Sequence, residues 1–176
     1  VMFKITNKSH TKARVTYSAV NGCMNDGLWS EQICKRDVSR HFYEGCGAYS
    51  SGWMSYEALE LPSKKRTKDH FISPQTYWYF LADNWDNYTK KWENFLKEWK
   101  FCSQTIAVTS EQNDELKGFT ENIDGVIKVK VPILERYSSL GIELYSEKHG
   151  TNDGIFPFAK DVSEEFIEYE ERCLLI

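Results

Sequence analysis

The sequence predicts an α+β fold with a small strand-and-helix core, a helical insert, an irregular or β-rich N-terminal subdomain and an acidic C-terminal helix. Residues 105–109 are rich in β-branched side chains, and a helix-start signal follows directly at Ser110. From Tyr77 to Trp99, aromatic and aliphatic residues recur every three or four positions, which is typical of helices. A chain of 176 residues can bury a core of this kind without disulfides.

The N-terminal segment, residues 1–62, is predicted to be a subdomain that serves as a candidate for DNA recognition. Weak alternation at 3–5 and 13–17 predicts two short strands. Three glycines between 35 and 55 predict a loop-rich stretch. A short helix is expected over 55–61, because Pro62 follows it.

The middle segment, residues 63–120, is predicted to be the functional core. It begins with a basic run, Lys64–Lys68, which leads directly into the pair Asp69-His70. A helical insert over 74–101 separates this pair from the strand at 105–109. The helix that starts at Ser110, as its N-cap, is expected to carry Asn113 in its first turn and to end at Gly118.

The C-terminal segment, residues 121–176, is predicted to be an α/β extension. Alternation over 126–131 predicts a strand. Residues 133–140 are expected to form a helix that ends at Gly141, and residues 142–145 are expected to form another strand. Ser163 is expected to cap an acidic helix that runs to Leu175.

Four polar residues of the core form a pattern: Asp69 and His70 are adjacent, and Asn113 follows Gln104 by nine positions. This pattern resembles an HNH (ββα-metal) endonuclease of the type found in phages and mobile introns, which includes homing endonucleases. In that family an Asp-His pair ends the first strand, a polar residue, usually Asn, opens the second, and a His or Asn nine residues later lies on the helix. The resemblance covers residues 64 to about 120, with a weaker likeness over 137–145.

The sequence departs from the family pattern in two ways, since the middle residue is Gln104 and the insert is longer than usual. The similarity extends to uncharacterised phage and large-virus proteins, which also carry Asp-His-x-x-Ser-Pro-Gln.

The resemblance implies a metal-dependent endonuclease that hydrolyses phosphodiester bonds of double-stranded DNA. It implies one divalent cation, Mg²⁺ or Mn²⁺, held by Asp69 and Asn113, since hard cations prefer oxygen ligands. His70 is the expected general base, because its ordinary pKa lies close to neutral pH. The resemblance implies that Gln104 orients the imidazole of His70. The expected DNA contacts are the basic residues Lys64, Lys65, Arg66 and Lys68.

Adjacent residues on a strand point to opposite faces, so Asp69 and His70 can share a site only if the strand ends or twists there. Each feature alone also has a structural explanation, and it is their conjunction that favours a nuclease. The alternative is a non-catalytic viral accessory protein that binds a host protein. The acidic charge balance, the high aromatic content and the departure at Gln104 favour that alternative.

The formal net charge of the chain is −4, which argues against general electrostatic attraction to nucleic acid. Any DNA contact is therefore expected to come from a local patch. The group Cys23, Cys34, His41 and Cys46 contains no Cys-x-x-Cys pair, so a structural zinc is not favoured, and whether this group binds zinc stays open.

An odd number of cysteines, five, does not suggest a disulfide framework. The first residues lack a signal peptide's apolar segment, and no apolar run could span a membrane. The expected location is intracellular, in the host cytoplasm if the protein is viral. The recognition sequence, nicking or double-strand cleavage, the biological role and the oligomeric state stay open.

Overall fold

The computed structural model describes residues 4–123, 125–152 and 157–174. It has a mixed α+β architecture, which confirms the predicted fold class in its coarse form. The described residues group into two compact units. One comprises the residues up to Tyr49 with Ile72–Gln104 and Asn122–Val126, and the other comprises Ser50–Phe71, Thr105–Glu121 and the residues from Ile127 on. Each unit contains residues from all three of the segments 1–62, 63–120 and 121–176. The division of the chain into these three domains stays a prediction.

The N-terminal residues that the structure describes are mainly helical, so the prediction of two short strands there is wrong. Helix α1 spans Asn7–Asn25 and helix α2 spans Gln32–Gly45. Thr6 caps α1 through a reciprocal pair of bonds with Ser9, which satisfies free N–H groups at the helix start. The buried residues of α1 are Ser9, Ala13, Thr16 and Val20, a helical spacing in which two members are polar. The first expected strand includes Phe3, which lies outside the described residues.

The prediction of a loop-rich stretch over 35–55 is also wrong, because these residues contain most of α2 and the strand β1, Tyr49–Ser55. Gly45 ends α2 at a close approach to α1, where a Cβ would collide with the Thr16 side chain. Gly52 has a φ of +86° inside β1, a conformation that glycine adopts without strain. These glycines therefore allow helix packing and a local bend rather than a loop.

The expected short helix at 55–61 is α3, Tyr56–Leu59, with Ser55 as its cap. The predicted helical insert is confirmed as α4, Pro74–Asp83, α5, Trp85–Tyr88, and α6, Trp92–Cys102. Most of its aromatic residues are buried in the first unit, where Trp78 stacks on Phe42 of α2 with ring centroids 4.6 Å apart. The aromatic periodicity is therefore a packing pattern.

Besides β1, the main sheet contains β2, Thr67–His70, β3, Gln104–Val108, β6, Leu144–Ser146, and β7, Gly150–Asn152. Among the described residues these five strands lie in the order β2-β3-β1-β6-β7. Strands β2 and β3 are antiparallel, as are β1 and β6 and also β6 and β7. A separate two-stranded sheet pairs β4, Thr120–Ile123, with β5, Val126–Val129. The strands predicted near 105–109, 126–131 and 142–145 are thus confirmed with shifted ends.

Helix α7 spans Ser110–Lys117 and ends at Gly118 as expected. Its cap is Thr109 rather than Ser110, because Thr109 exchanges bonds with Gln112 in a capping box. The acidic C-terminal helix is α8, Glu164–Cys173, capped by Ser163. No helix among the described residues has both the length and the apolar character needed to cross a membrane.

The helix expected over 133–140 is replaced by two short 3₁₀ turns, Ile133–Glu135 and Ser138–Leu140. Ser138 and Ser139 donate side-chain hydrogen bonds to the carbonyls of the residues three positions earlier, at 3.1 and 3.0 Å. Such local bonds compete with the helical pattern. Between the two turns lie Arg136 and Tyr137, both buried.

Candidate functional site

The structure places the predicted site residues on β2, β3 and α7. Asp69 and His70 are the last two residues of β2, Gln104 is the first residue of β3, and Asn113 lies in α7. In the antiparallel register Asp69 is opposite Ile106 and His70 is opposite Thr105. Helix α7 directly follows β3 and packs against β2. Asp69, His70 and Asn113 therefore belong to one strand–helix assembly of the second unit.

Asp69 and His70 differ in their surroundings, as alternation along a strand requires. Asp69 is 5% exposed and lies opposite the fully buried Ile106, whereas His70 is half-buried. Strand β2 ends at His70, and Ser73 begins the cap of α4 with Pro74 in its first turn. The expectation that the strand ends at this pair is thus confirmed.

The Asp69 carboxylate is bound by two buried neighbours. Its Oδ2 accepts a hydrogen bond of 2.6 Å from the Tyr137 hydroxyl, and its Oδ1 lies 3.3 Å from Nη2 of Arg136. The Arg136 and Asp69 side chains are only 10% and 7% exposed. A buried ion pair is stable only when further hydrogen bonds satisfy both charges, and these contacts supply them for the carboxylate.

The Arg136 guanidinium is bound to backbone as well. Nη1 donates to the carbonyls of His70 and Phe71 at 3.0 and 2.9 Å. Nη2 donates to the carbonyl of Leu116, in the last turn of α7, at 3.4 Å. We call Asp69, Arg136 and Tyr137 the Arg136 cluster. It connects the end of β2, the end of α7 and the segment after β5.

Electrostatics within this cluster follow from burial. Burial alone would lower the pKa of Arg136, but the negative charge and hydrogen bond of Asp69, together with Tyr137 and Glu170, raise it. Burial, reinforced by Asp69, raises the pKa of Tyr137 well above its ordinary value. Burial also raises the pKa of Glu170 on α8 to about 7, although its bond from the Ile133 N–H and the charge of Arg136 oppose the shift.

Gln104 and Asn113 are both buried, at 2% and 7% exposure. The side-chain Oε1 of Gln104 has no hydrogen-bond partner among the described residues. Buried amide oxygens are normally bonded, so this atom is an exception that calls for a partner. Gln104 belongs to the first unit and Asn113 to the second. The orienting role of Gln104 stays a prediction.

The basic residues before Asp69 separate into two groups. Lys64 and Lys65 are exposed on a 3₁₀ turn, Ser63–Lys65, and Lys68 is exposed on β2, two positions before His70. Arg66 is half-buried. Its Nε and Nη2 donate to the carbonyls of Leu61 and Leu59 at 3.0 and 3.3 Å, where α3 ends. The guanidinium of Arg66 therefore stabilises the end of α3.

The four candidate zinc ligands lie on or next to α1 and α2. Cys23 is in α1, Cys34 and His41 are in α2, and Cys46 is the residue that follows α2. Within the described ranges, no three His, Cys, Asp or Glu side chains come together in a group that could hold a metal ion.

Sequence reasoning missed Arg136, whose guanidinium donates hydrogen bonds to Asp69, His70, Phe71 and Leu116. The sequence feature closest to Arg136 was the weaker likeness to HNH endonucleases over 137–145, which starts at the next residue. A single arginine between Glu135 and Tyr137 carries no local pattern, and its partners lie 20 to 67 positions away.

Comparison with family models, with curated proteins and with solved structures finds no match for this chain.

Proposed function

We propose that this protein is a DNA endonuclease of the phage or mobile-element type, with His70 as the general base. The observation that carries the proposal is the arrangement of β2, β3 and α7. Two antiparallel strands are followed by a helix that packs on the first of them. This is the strand–strand–helix order that the HNH resemblance implies, with His70 at the end of the first strand and Asn113 in the helix.

His70 is suited to the role by its position. It is half-buried at the end of β2, where the backbone is held by Arg136. Imidazole changes charge close to neutral pH, so it can accept a proton from a water that attacks a phosphodiester. Hydrolysis then releases one strand end with a phosphate and one with a hydroxyl.

The cation is the part of the resemblance that this arrangement supports least. Mg²⁺ or Mn²⁺ bound by Asp69 and Asn113 would supply charge neutralisation at the phosphate. As placed, however, both Asp69 oxygens accept hydrogen bonds, and the positive Arg136 lies 3.3 Å away. A cation at Asp69 would face this buried guanidinium at short range. Asp69 therefore does not fit a direct metal ligand here, and no catalytic step is assigned to the ion.

DNA binding is proposed for the exposed lysines near β2. Lys64, Lys65 and Lys68 form a local basic patch on a chain whose net charge is −4. Phosphate contacts from such a patch give binding that is independent of sequence and weakens with salt. Arg66 is excluded from this patch because its guanidinium is bound to backbone carbonyls.

A plasmid-cleavage assay tests the proposal. The protein is incubated with supercoiled plasmid and Mg²⁺ or Mn²⁺, with and without EDTA, beside His70→Ala and His41→Ala. General-base catalysis contributes about 10²- to 10⁴-fold, so His70→Ala should lose that factor while DNA binding persists. His41, exposed on α2, is the matched control and should cleave at the parental rate. Cleavage by His70→Ala at the parental rate would refute the assignment.

A second function is a non-catalytic accessory protein that binds another protein, such as a host protein. The pairing of Asp69 with Arg136 and Tyr137 favours it, because that pairing explains the Asp-His motif as structure. This function predicts that the parent protein leaves plasmid intact with either metal.

A further inference from the structure

The Arg136 guanidinium connects its own segment to two other parts of the second unit, the end of β2 and helix α7. Its donors reach the carbonyls of His70 and Phe71 at the end of β2, the carbonyl of Leu116 in α7 and the Asp69 carboxylate, all within 3.4 Å. A guanidinium is a rigid plane with five N–H donors in fixed directions. This one side chain therefore constrains the positions of these acceptors relative to one another.

The candidate site residues His70 and Asn113 are both close in sequence to these acceptors. The His70 carbonyl is itself an acceptor, so the bond fixes the backbone from which the imidazole projects. Leu116 follows Asn113 by three positions in α7, and both are buried. Residues three apart share one helix face. The bond to Leu116 thus holds the Asn113 face of α7 at a fixed distance from the end of β2.

We infer that Arg136 is a positioning residue for His70 and α7, and that Asp69 serves as its counter-charge and not as a metal ligand. The two charges are buried together, and Tyr137 completes the hydrogen bonding of the carboxylate. The consequence for catalysis rests on the proposed function. The consequence for the position of the His70 side chain does not.

Lysine at position 136 is the informative substitution. It keeps the positive charge beside Asp69, but its three donors on a single nitrogen cannot reproduce the planar fork that spans β2 and α7. A misplacement of about 1 Å in a catalytic group can cost about 10²-fold in rate. We expect Arg136→Lys to lower kcat by about 10- to 100-fold with KM for DNA nearly unchanged.

A readout independent of catalysis follows the imidazole directly. In ¹H–¹³C NMR spectra without metal or DNA, the ring signals of His70 should shift in Arg136→Lys, and those of the exposed His41 should stay in place. Val129→Ala is the matched control for lost stability. Val129 is fully buried in β5 of the same unit, and its truncation should leave the His70 signals at their parental positions.

The two readouts separate the possible failures. If the parent does not cleave DNA, the proposed function fails, and the NMR shift still decides the positioning role. Parental His70 signals in a folded Arg136→Lys protein would overturn the inference, and so would parental kcat in an active enzyme. If Arg136→Lys does not fold, the double variant Asp69→Asn/Arg136→Gln removes both charges together, which avoids an unpaired buried charge. Unshifted His70 signals in that folded variant overturn the inference, and shifted signals support it.

Discussion

Replacing Asp69 by Asn removes the counter-charge of a buried arginine and keeps the shape of the side chain. The side chains of Arg136 and Asp69 are 10% and 7% exposed, and their paired N and O atoms are 3.3 Å apart. Breaking a buried pair by removing one partner costs roughly 3–5 kcal/mol. Three backbone carbonyls still accept hydrogen bonds from the guanidinium, so we expect the lower end, about 3 kcal/mol. For a chain of this size that is a fall in Tm of roughly 6–12 °C.

The assay is urea and thermal unfolding in EDTA, followed by fluorescence of the six tryptophans. EDTA removes any divalent cation, so the measured loss reports the protein's own interactions. Asp114→Asn is the control, because Asp114 forms an exposed pair with Lys117 on α7 at 3.1 Å. Exposed pairs contribute little, and we expect a change of no more than about 0.5 kcal/mol.

The opposite result would identify Asp69 as a metal ligand. A direct ligand destabilises the folded protein when no metal is present, because its carboxylate is buried without the ion. Asp69→Asn would then leave the stability in EDTA unchanged or raise it, and would abolish the stabilisation that Mg²⁺ or Mn²⁺ gives the parent. Either finding refutes the counter-charge role.

Two further predictions concern Glu170 and the lysine patch. The pKa of Glu170 is raised from 4.5 to about 7, so the folded state retains a proton that the unfolded chain loses. The free energy of unfolding should therefore fall by on the order of 3 kcal/mol as pH rises from 4.5 to 7. Glu170→Gln should remove this dependence of the free energy of unfolding on pH, measured by urea titrations across that range. An unchanged pH dependence in Glu170→Gln would contradict the prediction. Lys64→Ala with Lys65→Ala should weaken DNA binding and flatten its logarithmic salt dependence by about 2 units, measured by fluorescence anisotropy. Arg66→Ala should lower the thermal midpoint instead, and an unaltered salt slope in the lysine double variant would place DNA elsewhere.

The elements that could be predicted have strong local signals. The strand before Ser110 is rich in β-branched residues, and the insert over 74–101 repeats its aromatic residues with a helical period. Ser163 caps α8 by the bond that its position predicts. These signals depend only on residues that are close together in the sequence, so they still determine the local structure when the chain packs into its tertiary structure.

Helix α1 shows why the N-terminal prediction failed. Two of its four buried positions, Ser9 and Thr16, are polar, so the apolar residues alone do not reveal a helical face. Thr16 is accommodated because its hydroxyl donates to the carbonyl of Lys12 within the helix, at 2.9 Å. Gly45 then lets α2 approach this position closely. The face is formed by close packing of small residues, which hydrophobic periodicity does not detect.

The pair Asp69-His70 marks the limit of a local interpretation of the candidate site. Adjacent residues on a strand have opposite environments, so their proximity in sequence does not place both side chains in one site. The role of Asp69 depends on Arg136 and Tyr137, which are 67 and 68 positions away. Because a buried carboxylate that keeps its charge must be paired either with a cation from solution or with a cationic side chain, the identity of that partner decides its chemistry. Here the partner is a side chain, and Arg136 therefore takes the place beside Asp69 that the motif alone would give to a metal.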